Sequence, residues 1–141
     1  LNVWANLQDV NFDGKNDILV NLSQYGNQMI QYYDCFVWDE TKKQYRKDES
    51  FKQIENPQIN NEKQCVFSSS RISAASYCFK SFEFIDGGFM ETAALTQTFR
   101  ASKQPPLFTE KQYVKSKGLV TLHKDVSVDK IDRDWLSIIM K

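Results

Sequence analysis

Three observations predict that this chain folds as a single all-β domain spanning residues 1–141, built as an antiparallel meander. Short segments rich in β-branched and aromatic residues recur along the sequence, and such residues favour strands. Aromatic residues make up 13% of the chain. Turn-forming residues separate the segments at short intervals, as expected where consecutive strands pair. The length of 141 residues is enough for one core and short for two domains.

Five segments carry the strand signal most clearly. They are "DILVNL" (17–22), "YYDCFVWD" (32–39), "CVFSSS" (65–70), "YCFKSFEFI" (77–85) and "GLVTLHKDVSV" (118–128). In the second segment, Tyr33, Cys35 and Val37 alternate with the other residues and therefore share one face. The turn signals between segments are Asp13-Gly14, Tyr25-Gly26-Asn27, residues 39–44, Asp86-Gly87-Gly88 and Lys117-Gly118.

The remaining segments have weaker patterns. Residues 51–64 are polar and contain Pro57, which predicts a long connection with an edge strand. Pro105-Pro106 predicts a break. Residues 109–117 after it are predicted as a helical turn capped by Thr109. The tail, residues 129–141, fits either a short terminal helix or a last strand.

The charge balance limits the function classes. The 18 Lys and Arg residues cancel the 18 Asp and Glu residues, so no net field attracts nucleic acid or an anionic membrane. No apolar run approaches the roughly 20 residues that span a bilayer. The sole histidine, His123, lies in a strand-like segment, and no nucleophile elbow or phosphate-binding loop is present. We therefore expect a binding protein and not an enzyme.

Oxygen-bearing residues alternate through "DVNFDGKND", residues 9–17. Calcium takes six to eight oxygen ligands in flexible geometry. The candidate ligands are Asp9, Asn11, Asp13, the Lys15 carbonyl and Asp17. Three carboxylates this close would repel one another without a cation. A bare turn is the alternative, because Asp, Asn and Gly are favoured in turns anyway.

The flanks of this loop indicate which kind of calcium site it could form. An EF-hand would place a bidentate Glu where Val20 stands, and its flanks would be helices. The loop instead resembles the calcium-binding hairpin of FG-GAP and integrin-type propeller blades, D-x-[DN]-x-D-G-x-x-D, at every fixed position. The resemblance implies propeller-like blades and a structural calcium ion.

The chain has three cysteines, Cys35, Cys65 and Cys78, and none forms a CxxC pair. If the surrounding strands form a hairpin centred near Arg71 and Ile72, then Cys65 and Cys78 face each other. A disulfide between them would fit an oxidising compartment. Three buried thiols are the alternative.

The segment "SSSRISAASY", residues 68–77, is rich in serine and contains one Arg and a closing Tyr. Arg and Tyr are favoured at the energetic centres of interfaces, and serine-rich loops adapt to partners. Within it, "SAASY" resembles the S-[GA]-x-x-Y signature of bacterial periplasmic lysozyme inhibitors, in which a hairpin loop enters the lysozyme cleft.

Together with the residue 9–17 loop, "YYDCFVWDE" and "FEFIDGG", this segment resembles a family of calcium-binding, β-propeller-like immunity proteins. These inhibit lysozyme-like effectors of interbacterial secretion systems. The resemblance covers roughly residues 5–90. It assigns residues 1–101 to the family part of the chain and leaves residues 102–141 as an unassigned C-terminal extension. It implies a periplasmic or secreted protein whose leader has been removed. Its partner would be a peptidoglycan hydrolase toxin, bound through Ser70, Arg71, Ser73 and Tyr77.

An extracellular carbohydrate-binding or adhesion module carrying the same calcium loop is the alternative function. Tyr32, Tyr33 and Trp38 could stack on sugar rings in such a module. The alternative reading of these aromatic residues is that they are strand core.

Overall fold

The computed structural model describes residues 5–22 and 30–140. These residues form ten strands in two antiparallel sheets, together with three 3-10 turns and one short α-helix. The prediction of an all-β, antiparallel fold is therefore confirmed. The turn predicted at residues 25–27 lies outside the described residues.

The first sheet has four strands in chain order. They are β1 (Ala5–Gln8), β2 (Asp17–Asn21), β3 (Tyr33–Asp39) and β4 (Gln44–Asp48). β2 and β3 match two of the predicted segments, and Cys35 and Val37, which the alternation places on one face of β3, are both buried. β4 was not among the predicted strands, because its residues are polar and mostly exposed.

The second sheet has six strands, again in chain order. They are β5 (Gln58–Asn60), β6 (Cys65–Ser73), β7 (Ser76–Ile85), β8 (Gly88–Thr98), β9 (Leu107–Val114) and β10 (Gly118–Val126). β5 lies at one edge, as predicted for the segment that contains Pro57. The described residues form no closed ring of blades.

Residues 102–141, which the family resemblance does not cover, supply β9, β10 and the C-terminal segment. The helical turn predicted after Thr109 is wrong, because this segment is strand β9. Phe108 and Glu110 alternate as buried positions, and β9 pairs with a strand on each side. Of the two alternatives for the tail, the helix is correct: α1 spans Leu136–Ile139 and follows 3-10 turns at Val128–Lys130 and Arg133–Trp135. The third 3-10 turn is Phe51–Gln53.

The six-stranded sheet is the middle layer of the molecule. One of its faces packs against the four-stranded sheet and the Phe51 turn, in a core that contains Val10, Leu19, Cys35, Val37, Phe51, Ile54, Val66, Phe82 and Phe89. Its other face carries a second core, which contains Cys65, Phe67, Phe79, Leu95, Phe108, Ile131, Trp135 and Ile138. Because strand residues alternate between faces, adjacent residues such as Val66 and Phe67 serve different cores.

Candidate functional site

The hairpin between β6 and β7 turns at Ala74 and Ala75, with Ser73 opposite Ser76. The predicted centre near Arg71 and Ile72 is therefore wrong. Arg71 pairs with Tyr77, so Ile72 is an extra, bulged residue on the β6 side.

The predicted facing of Cys65 and Cys78 is wrong for the same reason. Cys78 lies opposite Ser70, whereas Cys65 precedes Val66, which lies opposite Phe82. Cysteines so far apart along a hairpin cannot meet the short Cα–Cα separation that a disulfide needs. All three cysteines are free thiols in the structure.

Burial governs the chemistry of these thiols. It raises the pKa of Cys65 and of Cys78, because a thiolate is poorly solvated inside the protein. Burial raises the pKa of Cys35 to about 12, and the negative charges of Asp17 and Asp48 add to the effect. Low-pKa thiols are the reactive ones, so none of these cysteines has the character of a nucleophile.

Arg71 is folded back over the tip of its own hairpin. Its Nε donates to the Ser73 carbonyl at 3.0 Å, and its Nη2 donates to the Ala74 carbonyl at 3.4 Å. Its guanidinium carbon lies 5.8 Å from the centre of the Tyr77 ring, in cation–π range. The structure thus brings two of the predicted partner-binding side chains together on one exposed turn.

The other two predicted partner-binding residues, Ser70 and Ser73, lie in different parts of the hairpin. The Ser73 hydroxyl accepts a hydrogen bond from the Ala75 amide at 3.2 Å, so it belongs to the turn. Ser70 lies further down β6, opposite Cys78, and is half-buried. Ser73 therefore joins Arg71 and Tyr77 at the tip, whereas Ser70 belongs to the strand beneath it.

Phe99 is a residue of this surface that the sequence did not single out. Its amide donates to the Ala75 carbonyl at 2.7 Å, and its ring contacts the Tyr77 ring edge-on at 5.8 Å. Phe99 is 43% exposed, and Ile72 on the bulge is 61% exposed. The end of β8 thereby braces the turn, through a pairing that no local sequence signal reveals.

The residue 9–17 loop is closed by its own carboxylates. Asp9 accepts hydrogen bonds from the Phe12 amide at 2.8 Å, the Asp13 amide at 3.3 Å and the Gly14 amide at 2.8 Å. Asp13 accepts from the Lys15 amide at 2.9 Å. Both residues keep carboxylate lone pairs beyond those that the amides use.

Asp17 is the wholly buried carboxylate of this loop. Its two oxygens accept from the Val10 amide at 2.9 Å and the Trp38 amide at 3.0 Å, so it joins the loop to β3. Burial raises the pKa of the Asp17 carboxyl, and the charges of Asp13 and Asp9 raise it further against those two hydrogen bonds.

Asn11 has a buried side-chain oxygen with no hydrogen-bond partner among the described residues. A buried acceptor without a donor is costly, so its presence suits a site that a cation completes. On the other hand, no three His, Cys, Asp or Glu side chains within residues 5–22 and 30–140 are grouped so as to hold a metal. Asn11 and the Lys15 carbonyl lie outside that set of residue types.

The aromatic residues of β3 do not form one sugar-stacking platform. Tyr33 packs against the core, whereas Trp38 has the opposite strand parity and meets Tyr45 edge-on at 5.0 Å. Because the two rings of an edge-on pair are not coplanar, they cannot both stack on the face of one sugar. The Trp38 indole instead donates to Glu40 at 2.7 Å.

Glu110 forms a buried polar centre that the sequence analysis missed. One of its oxygens accepts from the Trp135 indole at 3.0 Å and from the Asp132 amide at 3.3 Å. The other oxygen lies 2.9 Å from Nδ1 of His123. The contacts with Trp135 and Asp132 hold the C-terminal segment against the sheet. The contact with His123 gives that side chain a structural partner on the neighbouring strand.

Comparison with known proteins identifies a similar fold. A solved structure described as that of a Xanthomonas type IV secretion system related protein matches with a TM-score of 0.71 and 18% sequence identity. The match covers 85% of this chain and 58% of that chain. No protein-family model and no curated protein matches this sequence. At this identity, the match establishes a shared fold.

Within the part of the chain that the structure describes, no helix has the length and apolar character needed to cross a lipid bilayer.

Proposed function

We propose that this protein is a periplasmic inhibitor that inserts the β6–β7 hairpin tip into the active-site cleft of a lysozyme-like peptidoglycan hydrolase. The observation that carries the proposal is the exposed tip itself, where Arg71, Ser73 and Tyr77 are held by contacts within the turn. The target enzyme would be the toxin against which the protein confers immunity.

Charge supports this choice of partner. Arg71 is the only charged residue between Lys63 and Lys80, so the tip presents one positive charge with no neighbouring acid in the sequence. Glycoside hydrolase clefts carry a pair of carboxyl groups. An arginine that reaches such a group can form a charge-assisted hydrogen bond, which is stronger than a neutral one.

The order of the tip also supports the proposal. Arginine side chains have many rotamers, and fixing them on binding costs free energy. Arg71 is already fixed by two carbonyls and by Tyr77, and Phe99 braces the turn from β8. A pre-ordered tip loses less entropy when it enters a cleft.

Calcium bound by the residue 9–17 loop is the second part of the proposal. Asp9, Asn11, Asp13, the Lys15 carbonyl and Asp17 would hold the ion, which would neutralise the carboxylate cluster. The unpartnered Asn11 oxygen and the raised pKa of Asp17 support a cation at this position. The ion would stabilise the fold, since Asp17 also holds β3 through the Trp38 amide.

The structural neighbour supports the biological setting. Its description refers to a secretion system, which agrees with the secretion-associated immunity role that the sequence resemblance implies. This chain spans only 58% of the length of that neighbour.

The inhibitor proposal is tested by measuring peptidoglycan hydrolysis by a panel of lysozyme-like enzymes with and without this protein. We expect Arg71→Ala to weaken inhibition of a sensitive enzyme by roughly 30-fold, the loss typical of an interface hot spot. The matched control is Arg133→Ala, since Arg133 is also exposed but lies near the C-terminus. Unchanged inhibition by Arg71→Ala, or inhibition of no enzyme in the panel, would contradict the proposal.

The calcium proposal is tested by isothermal titration calorimetry and thermal unfolding of EDTA-treated protein. A ligand at a hundred times its Kd adds about 2.7 kcal/mol of stability, which corresponds to a rise in Tm of roughly 5–15 °C. Asp13→Asn should weaken binding, whereas Asp86→Asn, in an exposed turn between β7 and β8, should not. Absence of calcium binding at millimolar concentration would exclude the site.

A further inference from the structure

The hairpin of β9 and β10 separates from β8 near its turn. Pairing of β9 with β8 reaches only as far as Gln112, opposite Ala93, whereas β9 and β10 continue to pair up to Val114 and Gly118. We name residues 111–124 the lysine arm. Beyond Gln112 its two strands pair only with each other, and nearly all of its residues are exposed.

The lysine arm carries positive charge alone. It contains Lys111, Lys115, Lys117 and Lys124, and no Asp or Glu lies between residues 111 and 124. Among the described residues, none of these four lysines forms an ion pair, whereas lysines elsewhere do, such as Lys47, Lys52 and Lys80. A chain with no net charge thus has a local concentration of unpaired cations.

The arm also exposes large apolar side chains. Tyr113 is 37% exposed, Val114 39%, Leu119 38% and Leu122 46%. Tyr113 lies directly opposite Leu119, so these two side chains share a face of the hairpin. Cationic and apolar groups are therefore interleaved on one exposed hairpin.

An acidic protein, a nucleic acid or an anionic lipid surface could bind the lysine arm, and the composition of the arm favours the lipid surface. Lysine is depleted at protein–protein interfaces, and the bulges in β10 and its lysine disfavour pairing with a strand of another chain. Nucleic-acid sites use arginine and several stacked aromatic rings, but the arm has no arginine and one aromatic residue. Lysines beside a tyrosine and aliphatic side chains match the composition of elements that lie on an anionic lipid surface.

We propose that the lysine arm docks this protein on the surface of a membrane that contains anionic lipid. The lysine ammonium groups contact the headgroups, while Tyr113 and Leu119, which share one face of the hairpin, enter the boundary between headgroups and acyl chains. This inference stands apart from the inhibitor proposal, because it concerns another hairpin and needs no target enzyme.

The test is sedimentation of the full chain with large vesicles of phosphatidylcholine, with or without about one third phosphatidylglycerol. We expect binding only to the anionic vesicles, weakening as salt screens the charges. Each basic side chain near an anionic surface contributes about fivefold to the association constant. Lys115→Gln with Lys117→Gln should therefore lower it by about 25-fold.

The matched control is Lys42→Gln with Lys103→Gln, which removes the same charge from exposed lysines outside the arm. This pair should change vesicle binding by less than threefold, and circular dichroism should show that both double variants remain folded. Equal effects of the two pairs, equal binding to vesicles without anionic lipid, or binding to a short DNA duplex in place of vesicles would each overturn the proposal.

The apolar part of the arm provides a second readout. Leu119→Ser with Leu122→Ser keeps every charge, and we expect it to weaken binding to anionic vesicles at least fivefold. Binding unaffected by this change but sensitive to the lysine variants would show plain charge attraction, and would contradict insertion of the arm.

Discussion

Replacing Glu110 with alanine should release the C-terminal segment from the six-stranded sheet. Glu110 is 4% exposed and Trp135 is 3% exposed, so their hydrogen bond is shielded from water. In Glu110→Ala the Trp135 indole N–H loses its acceptor, and the Asp132 amide loses the same oxygen. The variant therefore tests whether one buried carboxylate holds this segment.

Most of the cost follows from the two donors of the C-terminal segment, because the third contact of Glu110, His123, is exposed to water. A buried donor left without an acceptor costs about 1–3 kcal/mol, and hydrogen bonds to a charged group lie at the upper end. Because Asp132 is exposed, water can replace its partner, so most of the loss comes from Trp135. We expect a destabilisation of about 2–4 kcal/mol. Glu110→Gln keeps one acceptor oxygen and should lose about 1 kcal/mol.

Urea unfolding followed by tryptophan fluorescence and circular dichroism measures this effect. The matched control is Glu83→Ala, an exposed glutamate on β7, which should change the free energy of unfolding by less than about 0.5 kcal/mol. A similarly small change in Glu110→Ala would refute the reasoning, because it would mean that water satisfies the Trp135 indole at no cost.

Two further predictions concern the buried thiols. Because burial raises the pKa of all three cysteines, the native protein should react slowly with a thiol-specific disulfide reagent at pH 8, and three thiols per chain should react in guanidinium. Only one reactive thiol in guanidinium would instead reveal a disulfide. Since an unfolded thiol ionises near pH 9 but Cys35 has a pKa of about 12, the unfolded state loses its proton first and stability falls between these pH values. In Cys35→Ala, the free energy of unfolding should fall less steeply with pH, by up to about 1.4 kcal/mol per pH unit. Equal slopes in the two proteins would contradict the raised pKa of Cys35.

Local sequence patterns were reliable where each strand had its own apolar alternation. β2 and β3 are examples, and parity alone grouped Cys35 and Val37 on one face of β3, which the structure buries. β9 was mistaken for a helical turn because Thr109 and the charged residues after it resemble a helix start. Its strand conformation comes from hydrogen bonds to β8 and β10, which are distant in sequence.

In the candidate sites, too, some residues could be grouped from local sequence and others only from the pairing of distant strands. Arg71, Ser73 and Tyr77 lie within one turn, so a short sequence segment was enough to group them. Phe99 reaches that turn only because β8 pairs with β7, with Thr98 opposite Ser76. No periodicity within a strand specifies which residue of the next strand arrives beside it.

Charge illustrates the difference most directly. Composition established that cationic and anionic residues cancel over the whole chain, and the exclusion of a net field followed from that count. The hairpin pairing of β9 and β10 brings Lys111 of β9 and Lys124 of β10 into one hairpin, with Lys115 and Lys117 in the turn between the strands.

By itself, the sequence determined the β class, most of the turns, and which residues could form a calcium loop and a partner-binding tip. These properties depend on residues within a few positions of one another. The tertiary structure alone decided the hairpin register, the separation of Cys65 from Cys78, and the Glu110 centre beneath the C-terminal segment. Those features depend on which distant segments pack together, and packing energy, unlike local propensity, is shared among residues far apart in the chain.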